Sequence, residues 1–178
     1  MSGLIGRGIV SKSGIIDGQI GGFEVDSWRY TTTSGSNPII FDDDMERTDV
    51  NNFTHIGDGM SFSSGIFTFP TTGIWKVSFQ WYGYSTGANR YCFAVIYNSS
   101  NSGSSWNPTG VAKTAIPDIG EYGHASCFTS GYVRVSDVST YRVKFFHDHD
   151  SSGATVTTQG STTENTTYML FERVGELP

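Results

Sequence analysis

Charged side chains are scarce in this sequence of 178 residues. Lys and Arg together number 11, Asp and Glu number 17, and charged residues make up 16% of the chain, against about 25% in an average domain. Four Lys and seven Arg are too few to cover the solvent faces of a helical bundle. The net charge of −6 also excludes the basic surface of a general nucleic-acid-binding domain.

Long apolar runs are absent too. No stretch reaches the roughly 18 apolar residues of a membrane-spanning helix. Glycines interrupt the apolar pairs near the N-terminus, so we expect neither a membrane segment nor a secretory signal. The only cysteines are Cys92 and Cys127. Without a secretory signal we expect two reduced, buried thiols, and a disulfide between them is the alternative.

Sequence motifs of catalysis are missing as well. The chain has no Gly-x-Ser-x-Gly nucleophile elbow and no glycine-rich phosphate loop between a strand and a helix. Helix start and stop signals are also absent. We therefore expect a non-enzymatic protein that uses no cofactor.

Small polar residues and aromatic residues are abundant instead. The chain contains 23 Ser, 20 Thr, 8 Asn and 22 Gly, together 73 of its 178 residues, and 14% of the residues are aromatic. Ser, Thr and Gly are weak helix formers, whereas the aromatic content is too high for a disordered chain. This composition indicates an all-β domain whose exposed faces carry Ser and Thr.

The clearest strand pattern lies at Gly73–Tyr84. Trp75, Val77, Phe79 and Trp81 alternate onto one face, which is the period of a half-buried strand. Arg90–Asn98 is apolar on both faces, so we expect it to be covered on both sides. About eight to ten short strands separated by turns indicate a sandwich or jelly roll. The other predicted strands are Phe23–Thr31, Pro38–Phe41, Gly65–Phe69, Val111–Ile116, Gly123–Val135, Thr140–His149 and Thr167–Val174.

The chain divides into a glycine-rich arm, residues 1–22, and a domain, residues 23–178. The arm is too interrupted by glycine to fold alone, so its apolar side chains need a surface that covers them. We therefore predict that the arm docks onto its own domain or onto a neighbouring molecule. The docking residues are Leu4, Ile5, Ile9, Val10, Ile15, Ile16 and Ile20.

Two segments have side chains that can bind metal ions. Five carboxylates lie within Asp42–Asp49, but the segment lacks the spacing of a calcium loop. His147 and His149 share one face of an extended strand, but two ligands fall short of the three or four that a zinc site needs. We interpret the first segment as a solvated acidic turn and the second as a strand that runs out into a polar loop. We predict no metal site.

Five aromatic residues are predicted to cluster around the second half of the Gly73–Tyr84 strand and its partner. Aromatic side chains are enriched at protein interfaces, so packing inside the sandwich or between subunits is the favoured interpretation. A sugar-binding platform is the alternative. The residues are Tyr82, Tyr84, Tyr91, Tyr97 and Trp106.

The segment from Gly65 to Phe79, GIFTFPTTGIWKVSF, resembles the globular head domain of the complement-component and tumour-necrosis-factor superfamily. That family shows Gly-x-Phe-Thr-x-Pro-x-x-Gly-x-Tyr followed by an alternating strand, and here Trp75 stands in place of the Tyr. Tyr132–Lys144 is similar to the family's penultimate hairpin, and Tyr168–Phe171 to its closing strand. The resemblance covers about residues 23–174.

The resemblance implies a ten-strand jelly roll that assembles as a compact homotrimer. It places Ser78, Gln80, Tyr82 and Tyr168 at the trimer interface. The arm and the ending MLFERVG also look like those of tailed-bacteriophage virion proteins. They imply a capsid decoration (cement) or fibre protein in the virion, attached through its arm to a capsid or fibre neighbour, with no nucleic-acid or membrane partner. The alternative is a fibre-tip adhesin that binds a receptor or a cell-surface glycan.

Overall fold

A computed structural model describes residues 23–49 and 53–178, where every regular element is a β-strand. The seven apolar residues of the predicted docking arm, from Leu4 to Ile20, lie outside these ranges. No helix long and apolar enough to cross a membrane occurs within them. The strands are β1 (Glu24–Tyr30), β2 (Ile39–Ile40), β3 (Met45–Arg47), β4 (His55–Ile56), β5 (Ser61–Ser63), β6 (Ile66–Thr68), β7 (Gly73–Ser85), β8 (Asn89–Ser99), β9 (Asn107–Ile116), β10 (Gly123–Val135), β11 (Arg142–His149), β12 (Val156–Thr158) and β13 (Tyr168–Gly175).

The strands form two antiparallel sheets. Sheet A has the order β10-β7-β13-β1-β3, and sheet B has the order β5-β6-β11-β8-β9. Three short strands share a position with another strand: β12 lies in line with β13 beside β7, β4 with β3 beside β1, and β2 with β6 beside β11. The thirteen described strands therefore fill ten positions, five in each sheet, which confirms the predicted all-β, ten-strand jelly-roll sandwich.

All nine strands predicted from the sequence are present. The additional strands β3, β4, β5 and β12 contain two or three residues each, too few to show an alternating pattern. Strand β9 also begins earlier than predicted, because Asn107 and Pro108 pair with β8. A proline is tolerated there because β9 is the last strand of sheet B and the proline needs no hydrogen-bond partner on its free side.

The core lies between the sheets and is rich in aromatic rings. Trp75, Phe79 and Trp81 of β7 are fully buried, as their alternation predicts. Phe79 contacts Phe145 of sheet B with ring centroids 5.3 Å apart. Burying a large apolar side chain stabilises a fold by roughly 1.5–3 kcal/mol, so this layer supplies much of the energy that holds the two sheets together.

The prediction that Arg90–Asn98 is covered on both sides holds only in part. One face of β8 is buried in the core, while on the other face Val95 is buried and Phe93 and Tyr97 are partly exposed. Lysine side chains from neighbouring strands cover them in part: the Lys113 ammonium lies 4.5 Å from the Phe93 ring centroid. Apolar side chains on both faces therefore reflect an aromatic outer surface and not a buried strand.

Asp26 on β1 ties the edge of sheet A to the loop before β5. The side chain is fully buried and accepts hydrogen bonds from Arg47 Nε (2.9 Å), Arg47 Nη2 (3.1 Å), Trp28 Nε1 (2.9 Å) and the backbone N–H of Met60 (2.7 Å). Four donors satisfy this buried carboxylate, as a buried charge requires.

Candidate functional site

The outer face of sheet A, called face A here, carries the four residues predicted at the trimer interface. Gln80 on β7 lies directly opposite Tyr168 on β13, and Ser78 and Tyr82 lie on the same side of β7. Gln80, Tyr82 and Tyr168 are half-buried, whereas Ser78 is buried within the single chain. Among the described residues, the Ser78 hydroxyl has no hydrogen-bond partner. The strand register therefore brings the four residues together, while their contact with another subunit stays a prediction.

Face A also exposes two large rings that the sequence analysis did not select. Phe128 on β10 lies opposite Gln80, and Tyr132 lies opposite Lys76. They are 53% and 68% exposed. Single exposed apolar residues are ordinary, but these two rings lie on the same outward side of β10, and only Gln80 separates Phe128 from Tyr168. Exposed rings that share one face of a sheet are typical of an interaction surface. The alternation of β10 contained this signal.

One end of face A holds a cluster of rings around His124. The Tyr82 hydroxyl and His124 Nδ1 are hydrogen-bonded at 2.9 Å, and the two rings are stacked with centroids 5.8 Å apart. Tyr84 contacts both His124 (5.6 Å) and Tyr122 (5.3 Å). The cluster borders an open cavity of about 520 Å³ lined by Thr86, Gly120, Glu121, Tyr122 and His124.

The predicted cluster of five aromatic residues does not exist as one surface. Tyr82 and Tyr84 belong to face A, whereas Tyr91, Tyr97 and Trp106 belong to the opposite side of the sandwich. Strand β7 is in sheet A and the next strand, β8, is in sheet B. The prediction is wrong because the two strands are consecutive in sequence but are separated by the core.

The outer face of sheet B, called face B here, contains a small aromatic pocket. The cavity has a volume of about 200 Å³. The Lys144 ammonium lies 4.3 Å from the Trp106 ring centroid and 5.8 Å from that of Tyr97. Cation–π contacts of this kind contribute about 0.5–1 kcal/mol at exposed sites. The lining residues are Ile40, Tyr97, Trp106, Lys144, Phe145 and Phe146.

His147 and His149 are buried side chains of the core, which corrects their interpretation as the end of a strand in a polar loop. His147 is fully buried and stacks on Trp81 at 4.3 Å with an interplanar angle of 8°. Its Nδ1 donates to the Phe93 carbonyl at 2.9 Å, since that oxygen can only accept, and Nε2 has no partner in the described ranges. Burial lowers the pKa of His147 to about 3 and lowers the pKa of His149.

The two cysteines lie near this histidine pair. Both thiols are free and buried, as expected. Burial raises the pKa of Cys92 and of Cys127 to about 12, so both thiols are protonated at neutral pH. In the part of the chain that the structure describes, no three His, Cys, Asp or Glu side chains converge as metal ligands.

The acidic segment Asp42–Asp49 is not simply solvated, which corrects its interpretation as a solvated turn. Arg29, which is 1% exposed, donates from Nε to Glu46 (2.7 Å) and from Nη2 to Asp49 (2.7 Å), and Nη2 also contacts the carbonyl of Thr162. The turn therefore neutralises a buried cation of β1. Three aspartates, Asp42–Asp44, remain beside an open cavity of about 390 Å³.

Two five-stranded antiparallel sheets in this order define a tumour-necrosis-factor-like jelly roll. Three crystal structures of murine APRIL share the fold. The structures at pH 5.0, 8.5 and 8.0 superpose with TM-scores of 0.59, 0.57 and 0.55 at 12%, 11% and 11% sequence identity, and each match covers 86% of this chain and 100% of the other. No protein-family model and no curated protein matches the sequence. At this identity the likeness shows the fold alone.

Proposed function

We propose that the chain is a non-enzymatic structural protein of a tailed-phage virion, a capsid decoration (cement) or fibre protein. It forms a homotrimer through face A and is attached to a capsid or fibre neighbour through residues 1–22. The trimer is supported by the tumour-necrosis-factor-like jelly-roll fold, which is shared with the murine APRIL structures. The virion location is supported by the resemblance of the arm and of residues 169–175 to phage virion proteins.

The observation that supports the trimer is the set of exposed rings on face A. Phe128 and Tyr132 expose more than half of their surface on the same face as the half-buried Tyr82 and Tyr168. Covering such rings with a second copy removes apolar surface from water at about 25 cal/mol per Å². Only 16% of the residues are charged. This low content is consistent with a surface that is covered by other copies of the same chain.

The trimer is tested by measuring the mass of the full chain in solution by light scattering. A trimer has a mass of about 58 kDa, three times the 19.4 kDa of one chain. The double variant Phe128→Asp/Tyr132→Asp is expected to be monomeric, because association would bury its two new carboxylates. Ile40→Asp is the matched control, since Ile40 is 50% exposed on sheet B. A wild-type monomer at micromolar concentration would refute the assembly.

Attachment through the arm requires a separate experiment. Each Ile or Val of the arm contributes roughly 1.5–3 kcal/mol when it is buried, and three arms on one trimer bind multivalently. Deleting residues 1–20 should leave a folded trimer that no longer binds the particle. Decoration of particles at wild-type occupancy by the truncated chain would contradict this role.

A receptor- or glycan-binding fibre-tip adhesin is the second candidate. The supporting observation is the aromatic pocket of face B, which lies on the opposite side of the sandwich from the proposed trimer surface. Both functions use the same fold and trimer. A glycan array separates them: saturable, sugar-specific binding by the isolated trimer favours the adhesin.

A further inference from the structure

A structured loop holds Trp106 in place over face B. The loop connects β8 to β9, and its backbone is fixed by its own polar side chains. Asn101 accepts from the Ser105 N–H and donates to the Ser105 hydroxyl, both at 2.9 Å, and the Ser99 hydroxyl accepts from the Gly103 N–H at 2.9 Å. The aromatic wall is therefore preformed, as is usual for ligand sites.

The four tryptophans of the chain differ in the use of their indole N–H groups. Trp28, Trp75 and Trp81 donate to Asp26, to the Thr71 carbonyl and to Thr158, respectively. These three groups are occupied within the domain. Trp106 makes no such hydrogen bond within residues 23–49 and 53–178, so its indole N–H is available to a ligand.

Two lysines lie among the rings of face B. Strands β8, β9 and β11 contain Arg90, Lys113, Arg142 and Lys144, of which Arg90 is paired with Asp150, and one outward carboxylate, Asp148. Lys113 and Lys144 each lie over an aromatic ring. Neither lysine is in an ion pair in the described part of the chain. The described cations that do form ion pairs are Arg29, Arg47, Lys76, Arg90 and Arg173.

We infer that this pocket binds one carboxylated pyranose, a uronic or sialic acid residue of a glycan, a site that rests on the second candidate function. The rings of Trp106, Tyr97 and Phe146 supply apolar walls for the C–H face of the sugar. Lys144 supplies a cation for the carboxylate, and the Trp106 N–H a donor for an oxygen. A volume of about 200 Å³ is below the roughly 300–1,000 Å³ of drug-sized sites, which fits a single ring.

The test follows the indole N–H resonances of the full-length protein during titration with methyl glucuronide, a methyl sialoside and neutral methyl glucoside. Trp106→Phe assigns the Trp106 resonance, and the other three resonances are internal controls. We expect the Trp106 resonance to shift saturably with at least one of the two acids. The neutral sugar should bind at least about tenfold more weakly, because a charge-assisted hydrogen bond is lost. Higher salt should weaken the binding of the acid.

Variants separate this site from other modes of binding. Lys144→Met should weaken acid binding at least about tenfold, Lys144→Arg should restore part of it, and Tyr132→Ala on face A should leave it unchanged. The site is refuted if no resonance shifts, if acid and neutral sugars bind equally, or if oligothymidylate binds more tightly than the acids. Array binding that survives Trp106→Ala and Lys144→Met would keep the adhesin and reject this pocket, whereas no binding to any glycan rejects both.

Discussion

The buried His147 makes the stability of the fold depend on pH. In the unfolded chain a histidine binds its proton with a pKa of 6.5, whereas in the folded chain the pKa of His147 is about 3. Between these values the unfolded state holds more protons, so stability falls as the pH falls. The structural cause is the ring's position on Trp81, where no carboxylate contacts it and Nε2 is unpaired within the described residues.

The expected size follows from these two values. One pKa unit corresponds to about 1.4 kcal/mol. At about pH 5, which is about 1.5 units below the unfolded pKa and well above the folded one, His147 alone lowers the free energy of unfolding by about 2 kcal/mol relative to neutral pH. His149, whose pKa is also lowered by burial, acts in the same direction. Above about pH 5 most carboxylates remain ionised, so histidines dominate this range.

The assay is urea denaturation followed by tryptophan fluorescence between about pH 5 and 7.5, at fixed protein concentration and ionic strength. His147→Phe keeps an aromatic ring against Trp81 and removes the titrating group, so its stability should depend less on pH, whatever its absolute stability. His124→Gln, a change at an exposed histidine, should keep the full dependence. If wild type and His147→Phe lose stability equally with acid, the reasoning about the buried ring is wrong.

Three further predictions concern the described core. Asp26→Ala should lower the free energy of unfolding by about 2–5 kcal/mol, because the Trp28 indole N–H and the backbone N–H of Met60 lose their buried acceptor; a change below about 1 kcal/mol in urea denaturation contradicts this account. Gly131→Ala should lower the free energy of unfolding by about 1–3 kcal/mol, since its Cβ would lie 2.6 Å from the Thr109 carbonyl oxygen. Gly175→Ala is the control, because its Cβ would meet open space, and it should be as stable as wild type in the same assay. Ellman's reagent should react with neither cysteine thiol of the folded protein and with both in urea; fast reaction in buffer would show that a thiol is accessible.

Local alternation predicted much of this fold. Trp75, Phe79 and Trp81 fall on one face because a strand has a period of two, and that period alone places them in the core. The same period places His147 and His149 on the buried face of Phe145. The polarity of the two histidines pointed instead to a solvent-exposed loop, which is why their burial was not predicted. Strands of two or three residues offer no period to detect.

The sequence alone does not predict which residues that are distant in the chain contact each other. The buried Arg29 is neutralised by Glu46 and Asp49 and also contacts the carbonyl of Thr162. These contacts exist only once sheet A is assembled. The division of Tyr82 from Tyr97 likewise depends on which sheet each strand joins. Face A was located through a family resemblance. The alternation of β10 predicts that Phe128 and Tyr132 point outward, but only the register of β10 and β7 places them opposite Gln80 and Lys76.

The pairing of β1 with β13 determines how the domain responds to mechanical force. Glu24 pairs with Arg173 and Arg29 pairs with Tyr168, so the chain enters and leaves the sandwich side by side at one end. Pulling the start of β1 away from the end of β13 breaks the hydrogen bonds between the two strands one after another. Pulling on the chain ahead of β1 against a load held at the opposite end stretches the same bonds together, in shear. Under the attachment proposed for residues 1–22, a load held at the opposite end of the sandwich would therefore act on these bonds in shear.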